Sequence, residues 1–361
     1  MAESTIEASS VANLQRWLTA RLAGAEAVRI APPRRLSGGY SAETLLVEAS
    51  VRRGGAERAE RYVLRREMPE PAVYPVQAPG LDVEIEIQWR TMDALARHSQ
   101  VPLAPLIGFE RDATVFGSPF FVMGFVDGVV PGVVPPYAAQ GFFAEAEPEQ
   151  RARLVEDGLR VLAQIHAVDW RAAGFDWLAP AGTRPGTLRQ LELWQQYAER
   201  ELAGRQHPLM SEAFAWLHAN LPPEGEADLV LSWGDSRIGN MIWSDFRCAC
   251  VTDFENVAIG PRAFDLGWWL MFDRWSHESM GVPRLPGEPT REAQRALYEK
   301  HAGVALGDTT YYEVLAAARY CAIVVRVMNR SVARGEMPAD QRIWLENPAS
   351  VCLAELMQPL R

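Results

Sequence analysis

The apolar positions of this chain switch between helical and strand spacing up to about residue 125 and are mainly helical beyond it. Between residues 8 and 23, Val11, Leu14, Trp17, Leu18 and Leu22 recur at helical spacing. Three strand-like segments follow, at 27–36, 43–51 and 61–66, and the first two are joined by Ser37-Gly38-Gly39-Tyr40-Ser41. A Pro-rich stretch covers 69–79, a helical pattern 82–97, and two further strands fall near 103–110 and 119–125. Beyond that point the period is helical, over 148–167, 187–204, 209–220, 263–273, 290–302, 309–333 and 339–358. The expected fold class is α+β in two parts. Residues 1–125 supply a five-stranded antiparallel sheet with one inserted helix and an N-terminal helix, and 126–361 a larger, mainly helical part.

One stretch breaks the helical half: LSWGDSRIGNMIWSDFRCACVTD, residues 231–253. Two short apolar runs, 241–243 and 249–252, flank the polar break Ser244-Asp245-Phe246-Arg247. That pattern predicts a β-hairpin. A hairpin brings its ends together, so Asn240 and Asp253 should sit side by side. Two adjacent oxygen ligands suit Mg²⁺, which takes a few protein oxygens plus phosphate oxygens and water. Asp235 would then lie one short loop upstream. A carboxylate beside a metal–nucleotide site is what phosphoryl transfer to a hydroxyl requires.

Composition narrows the field. The 361-residue chain carries a net charge of −10 and no long basic run, which argues against nucleic acid as a partner. Its basic residues are nearly all Arg, and Lys300 is the sole lysine, so no lysine in the first half can hold a phosphate. Cys248, Cys250, Cys321 and Cys352 lack zinc-site spacing and read as buried thiols. The N-terminus has acidic residues and no apolar core, unlike a signal peptide, and no uncharged apolar run reaches spanning length. A cytoplasmic protein, monomeric or homodimeric, with no membrane partner is expected.

Each candidate has a plain structural alternative. The Ser37–Ser41 turn could cradle phosphate with successive N–H groups, or be an ordinary hairpin turn. Arg65, closing the third strand, could hold phosphate in a bidentate fork, or be a solvated edge charge. Its acidic partner would be Glu84 or Glu86, with Gln88 a polar alternative. Asp235 is the expected catalytic base and not merely a turn-capping Asp, because Asn240 and Asp253 follow it. Arg237 could contact the transferred phosphoryl group or form a structural ion pair. Glu255 could support the metal shell. Asp265 is expected to brace the loop, and His166 to make a helix-end contact to a carbonyl. Trp268 and Trp269 read as core.

Together these stretches resemble the aminoglycoside phosphotransferase-like kinases, a branch of the protein-kinase-like fold. LSGGYSAETLLV, YVLRREMP, LSWGDSRIGNMIW and VTDFENVAIGPRAFDLGWWL carry the resemblance. It implies ATP and Mg²⁺ as cofactors and a small hydroxyl-bearing acceptor. Asp235 then corresponds to the catalytic Asp, and Asn240 and Asp253 to the Mg²⁺ ligands. Gly38–Ser41 would cover the phosphates, and the backbone of Met123, Gly124 and Phe125 would read the adenine. Two positions depart from the family pattern: Trp233 stands where a His is usual, and Arg65 where a Lys is usual, with Gln88 near the usual Glu. This fits a subgroup resembling the kinase domains fused to acyl-CoA dehydrogenases. A nucleotide-binding pseudokinase with a regulatory role is the alternative reading.

Overall fold

The computed structural model describes residues 7–36, 42–70, 72–77 and 80–361. They form two compact units. One holds residues up to Ala72, Gly80–Asp93 and Leu103–Val126, and the other Val73–Pro79, Ala94–Pro102 and Asp127–Arg361.

The first unit is a sheet with helices α1 (Ala8–Arg21) and α3 (Ala113–Phe116) and the start of α2 (Glu84–His98). Its strands are β1 (Ala27–Ile30), β2 (Arg34–Arg35), β3 (Ala42–Arg53), β4 (Ala56–Glu67), β5 (Leu106–Glu110) and β6 (Phe120–Gly124). The order is β1-β3-β4-β6-β5, with β2 pairing β3, and every pairing is antiparallel. The expected five strands are therefore six. Pro32-Pro33 breaks the segment expected at 27–36, since proline cannot donate to a ladder. Conversely, β3 and β4 run longer than their apolar runs. Gly54 and Gly55, both at positive φ, close a two-residue turn that carries the register into charged sequence. The core lies on one face: Leu14, Trp17 and Leu18 of α1 pack with Leu45, Val47, Tyr62, Leu64, Phe120 and Val122. Arg65 alternates to the other face of β4. The Glu67 carboxylate, just past it, accepts from the backbone N–H groups of Glu84 and Ile85 at 3.3 and 3.1 Å. It thus caps α2 from another element.

The second unit is mainly helical: α4 (Pro148–His166), α5 (Thr187–Leu202), α6 (Pro208–Ala219), α7 (Arg262–Arg274), α8 (Arg291–Ala302), α9 (Thr310–Ala333) and α10 (Pro348–Met357). Helix α9 packs against α5, α6, α7 and α10. A run of Ala at 316–318 and 322 keeps its surface shallow, and all four are buried. At the α7–α9 crossing a Cβ on Gly267 would meet the Tyr312 Cβ at 2.6 Å, so only glycine fits. Expected helix positions hold except the last. Residues 339–347 are not helical, because Asn347 caps α10 by accepting from Ala349 and Ser350, with Pro348 at its first turn. Two ribbons lie among the helices: β7 (Leu229–Ser232) with β10 (Ala258–Pro261), and β8 (Met241–Ser244) with β9 (Arg247–Val251). The second is the expected hairpin. Asp245 and Phe246 sit at φ 47° and 56°, a mirror-image turn that matches strand twist. All four cysteines are free and buried. Among the described residues no helix is long and apolar enough to cross a membrane.

Candidate active site

The loop after β7 is held from behind by one carboxylate. Asp265, in the first turn of α7, is fully buried. Its Oδ1 accepts from the Ser232 hydroxyl at 2.9 Å and the Gly234 N–H at 2.8 Å. Its Oδ2 accepts from the Trp233 N–H at 2.7 Å and faces His166 Nε2 at 2.9 Å. The other His166 nitrogen meets the Tyr298 hydroxyl at 2.5 Å. The expected brace is present, but His166 belongs to it and makes no helix-end contact to a carbonyl. Nothing in the local sequence around His166 signals this, because Asp265 lies 99 residues away.

The brace delivers Asp235. Gly234 sits at φ +87°, and a Cβ there would meet the Asn256 carbonyl oxygen at 1.9 Å. Only glycine permits this turn. Asp235 is 3% exposed, and its Oδ1 accepts from Arg237 Nε at 2.9 Å and from the Trp268 indole N–H at 2.8 Å. Oδ2 takes a longer bond, 3.2 Å, from the Tyr74 hydroxyl. Burial pushes the Asp235 carboxyl up. The Arg237 charge, with hydrogen bonds from Arg237 and Trp268, outweighs it and holds the group below the usual carboxylate range. Burial opposes the Arg237 charge too, but the carboxylates of Asp235 and Asp253 keep it firmly protonated. Arg237 is therefore ion-paired to Asp235 itself, its guanidinium lying 5.1 Å from the Phe272 ring centre. Tyr74, pushed well up by burial and by Asp235 and Glu255, remains a phenol. Trp268, which the sequence reads as core, and Tyr74, which it does not single out, both touch Asp235. Trp268 follows Asp265 by three positions on one helix face, a signal that was available; Tyr74 sits in a Pro-rich stretch and offers none.

The ribbon brings its feet together as expected. Asn240 ends a short 3₁₀ turn (Ile238–Asn240), and Thr252 returns both its N–H and its hydroxyl to the Asn240 carbonyl at 2.9 and 2.8 Å. Asp253 follows at φ +60°, a left-handed conformation unusual for a side-chain-bearing residue. The Trp233 indole N–H reaches the carbonyls of Thr252 and Asp253 at 2.9 and 3.2 Å, so this Trp ties the loop to the ribbon's second foot. The Asn240 amide N–H donates to the Asp235 carbonyl at 3.0 Å, so its oxygen is the atom that could meet a cation. An amide oxygen and a carboxylate form a hard-oxygen donor pair, and that fits Mg²⁺.

The first-unit candidates are placed as follows. Arg65, Glu84 and Gln88 are all buried. Glu86 pairs instead with Arg111 at 3.3 Å. Gly124 N–H donates to Pro105 and Phe125 N–H to Arg61, which commits two of the backbone donors expected at Met123–Phe125. Ser37, Gly38, Gly39, Tyr40 and Ser41 lie outside the described residues.

Beside Arg237 the second unit has a narrow cleft, lined among others by Val133, Tyr137, Ile238, Trp269, Phe272 and Trp275. Asp273 also lines it. Both of its oxygens are taken: Arg284 grips it in a fork, Arg291 approaches at 3.3 Å and Gln294 donates at 2.7 Å. His277 and Glu288, 2.7 Å apart, adjoin it. Three such side chains could hold a metal, but two arginines already neutralise this group, and it reads as an ion-pair network. Burial opposes a charged His277, yet Glu288 and Asp273 prevail over it and over Arg284, so its folded pKa lies above the ordinary value. The resulting stability is full below the unfolded pKa of about 6.5 and is lost as pH rises through the higher folded value. We expect the urea midpoint to fall across that window and His277→Gln to flatten the profile. A midpoint equally pH-dependent in the variant counts against the assignment.

The family model of the phosphotransferase enzyme family matches residues 33–308. The chain belongs to this family. It is a phosphotransferase, and its kinase-like fold recurs in solved structures. A Ralstonia eutropha protein assigned to the aminoglycoside phosphotransferases superposes with a TM-score of 0.69 at 23% identity, over 96% of this chain and 94% of that one. Among curated proteins, acyl-CoA dehydrogenase family member 11 of Gallus gallus is 29% identical over 245 residues, 67% of this chain and 28% of that protein. An Arabidopsis thaliana protein assigned as an acyl-CoA dehydrogenase is 27% identical over 240 residues, 64% of this chain and 27% of that protein. This phosphotransferase thus spans just over a quarter of the length of those curated relatives.

Proposed function

We propose that the chain transfers the γ-phosphoryl group of ATP, as its Mg²⁺ complex, to the hydroxyl of a small acceptor. The observation that supports this reading is that Asn240 bonds the Asp235 backbone and pairs with Thr252, which sets Asp253 next in the chain at the foot of the same ribbon. Oδ1 of Asp235 already holds two donors, so Oδ2 is the oxygen placed to take a proton. As the acceptor oxygen bonds to the γ-phosphorus, its proton passes to Asp235 and the β–γ bridging oxygen leaves with ADP. Mg²⁺ held by Asn240 and Asp253 would neutralise phosphate charge. Arg65 is the proposed phosphate contact of the first unit, with Ser37–Ser41 and the Met123–Phe125 backbone as further nucleotide contacts.

The cleft beside Arg237, which as it stands has room for little more than a water, is the proposed seat of the acceptor's hydroxyl-bearing end. Its walls are largely apolar, and exposed Val130 and Val134 stand in the same loop as Val133. Asp273 is saturated, so a polycation would find no unpaired carboxylate there. This favours an acceptor with an apolar body and no positive charge. A hydroxyacyl thioester meets that description, and the names of the curated relatives point the same way.

A thermal-shift series tests the reading. ATP should stabilise the protein only with Mg²⁺ present, by RT ln(1 + [L]/Kd), and the Asn240→Ala/Asp253→Ala double variant should lose that shift. In a phosphorylation panel, medium-chain hydroxyacyl thioesters should be turned over faster than kanamycin or choline. Metal-independent stabilisation, or a preference for the cations, overturns the corresponding part. The regulatory pseudokinase reading is not favoured, because the chain matches a family of phosphotransferase enzymes over residues 33–308.

A further inference from the structure

Arg319 lies at the centre of α9 with no exposed surface. Its guanidinium is surrounded by three aromatic rings, Trp194 of α5 at 4.7 Å and Phe264 and Trp268 of α7 at 4.2 and 4.4 Å. One nitrogen, Nη2, donates to the Gly234 carbonyl at 3.0 Å, while Nε and Nη1 have no hydrogen-bond partner among the described residues. Burying a cation so completely is costly, and an apolar side chain of this length would fill the same space more cheaply. What an apolar replacement could not do is grip that carbonyl.

The carbonyl belongs to the residue before Asp235. Asn256 Nδ2 donates to it as well, at 3.2 Å, while the Gly234 N–H is fixed by Asp265. The backbone entering Asp235 is therefore clamped at both polar ends. A second link runs through a side chain: Trp268, whose ring stacks on Arg319, donates to Asp235 Oδ1. Removing the guanidinium frees both links together.

We propose that Arg319 is a positioning residue for Asp235, setting its carboxylate through the Gly234 carbonyl and the Trp268 ring without touching substrate. The proposal rests on the reading of Asp235 as the base. It goes beyond that reading by making a remote residue of α9 part of the reaction geometry. A misplacement of about 1 Å at a reacting group can cost roughly 10²-fold in rate.

The test is a double-mutant cycle on the full chain, read by the slow hydrolysis of MgATP to ADP and phosphate. Arg319→Met should lower turnover about 10²-fold while KM for MgATP stays within about twofold. Arg319→Lys, which keeps a donor and a charge, should recover at least about tenfold of that loss. In an Asp235→Asn background Arg319→Met should lose nothing further, because the two act as a unit. An equal loss in both backgrounds, or a folded Arg319→Met within about twofold of wild-type turnover, overturns the proposal. Should Asp235→Asn alone leave turnover unchanged, the base assignment is what fails. Where Arg319→Met does not fold or hydrolysis is too slow to read, amide exchange in Arg319→Lys decides. Faster exchange confined to residues 233–240 supports the role, and unchanged exchange there rejects it.

Discussion

Asp235→Asn is expected to fold normally and to lose about 10²- to 10⁴-fold in phosphoryl transfer, the usual contribution of a positioned base. The asparagine oxygen can still accept from Arg237 Nε and the Trp268 indole, so both contacts on Oδ1 survive. On the other side the Tyr74 hydroxyl can reverse its role and accept from the new amide. What disappears is the oxygen able to take a proton. The loss should therefore fall on kcat, with KM for MgATP nearly unchanged, and the melting temperature should stay close to wild type. A turnover within about tenfold of wild type, measured with the best acceptor of the panel, would remove Asp235 from the chemistry.

The largest effect on stability is expected from Asp265→Ala. Four buried donors converge on that carboxylate: the Ser232 hydroxyl, the Trp233 and Gly234 N–H groups, and His166. Truncation leaves them in a dry interior, where each orphaned group costs about 1–3 kcal/mol. Relaxation and entering water recover part of this, so a loss of about 4 kcal/mol is expected. It should appear as a lower urea midpoint at unchanged slope. Asp265→Asn should fall between, since its new amide hydrogens face groups that already donate. A loss under about 1 kcal/mol would mean that the loop is held by other contacts.

The sequence discloses what depends on local pattern. Helical spacing locates most of the helices, and the Gly-rich and polar breaks locate the turns. The Ser244–Arg247 break locates the turn, but the register also depends on a bulge between Ile242 and Trp243 that the apolar pattern does not reveal: it shifts the pairing by one residue and sets Asn240 level with Thr252, next to the expected Asp253. Legibility fails where a partner is distant in the chain. Tyr74 reaches Asp235 across 161 positions and Arg319 reaches Gly234 across 85, and neither leaves a local trace. Strand ends fail for another reason. The charged tip of β3–β4 is ordered by its turn and ladder, so hydrophobic alternation says nothing about it. The residues around 339–347 fail because a helical run of apolar positions does not reveal that Asn347 and Pro348 open the helix later.

The buried thiols have a practical consequence. Alkylating reagents attack the thiolate, and burial pushes Cys321 and Cys352 up to about 12 and raises Cys248 as well. The native fold therefore shields its cysteines by burial and, for these three, by protonation, and modification must await local or global opening. The wild-type protein thus carries an intrinsic reporter of unfolding, in which the rate of maleimide uptake reads how often the helical unit breathes, with no engineered label.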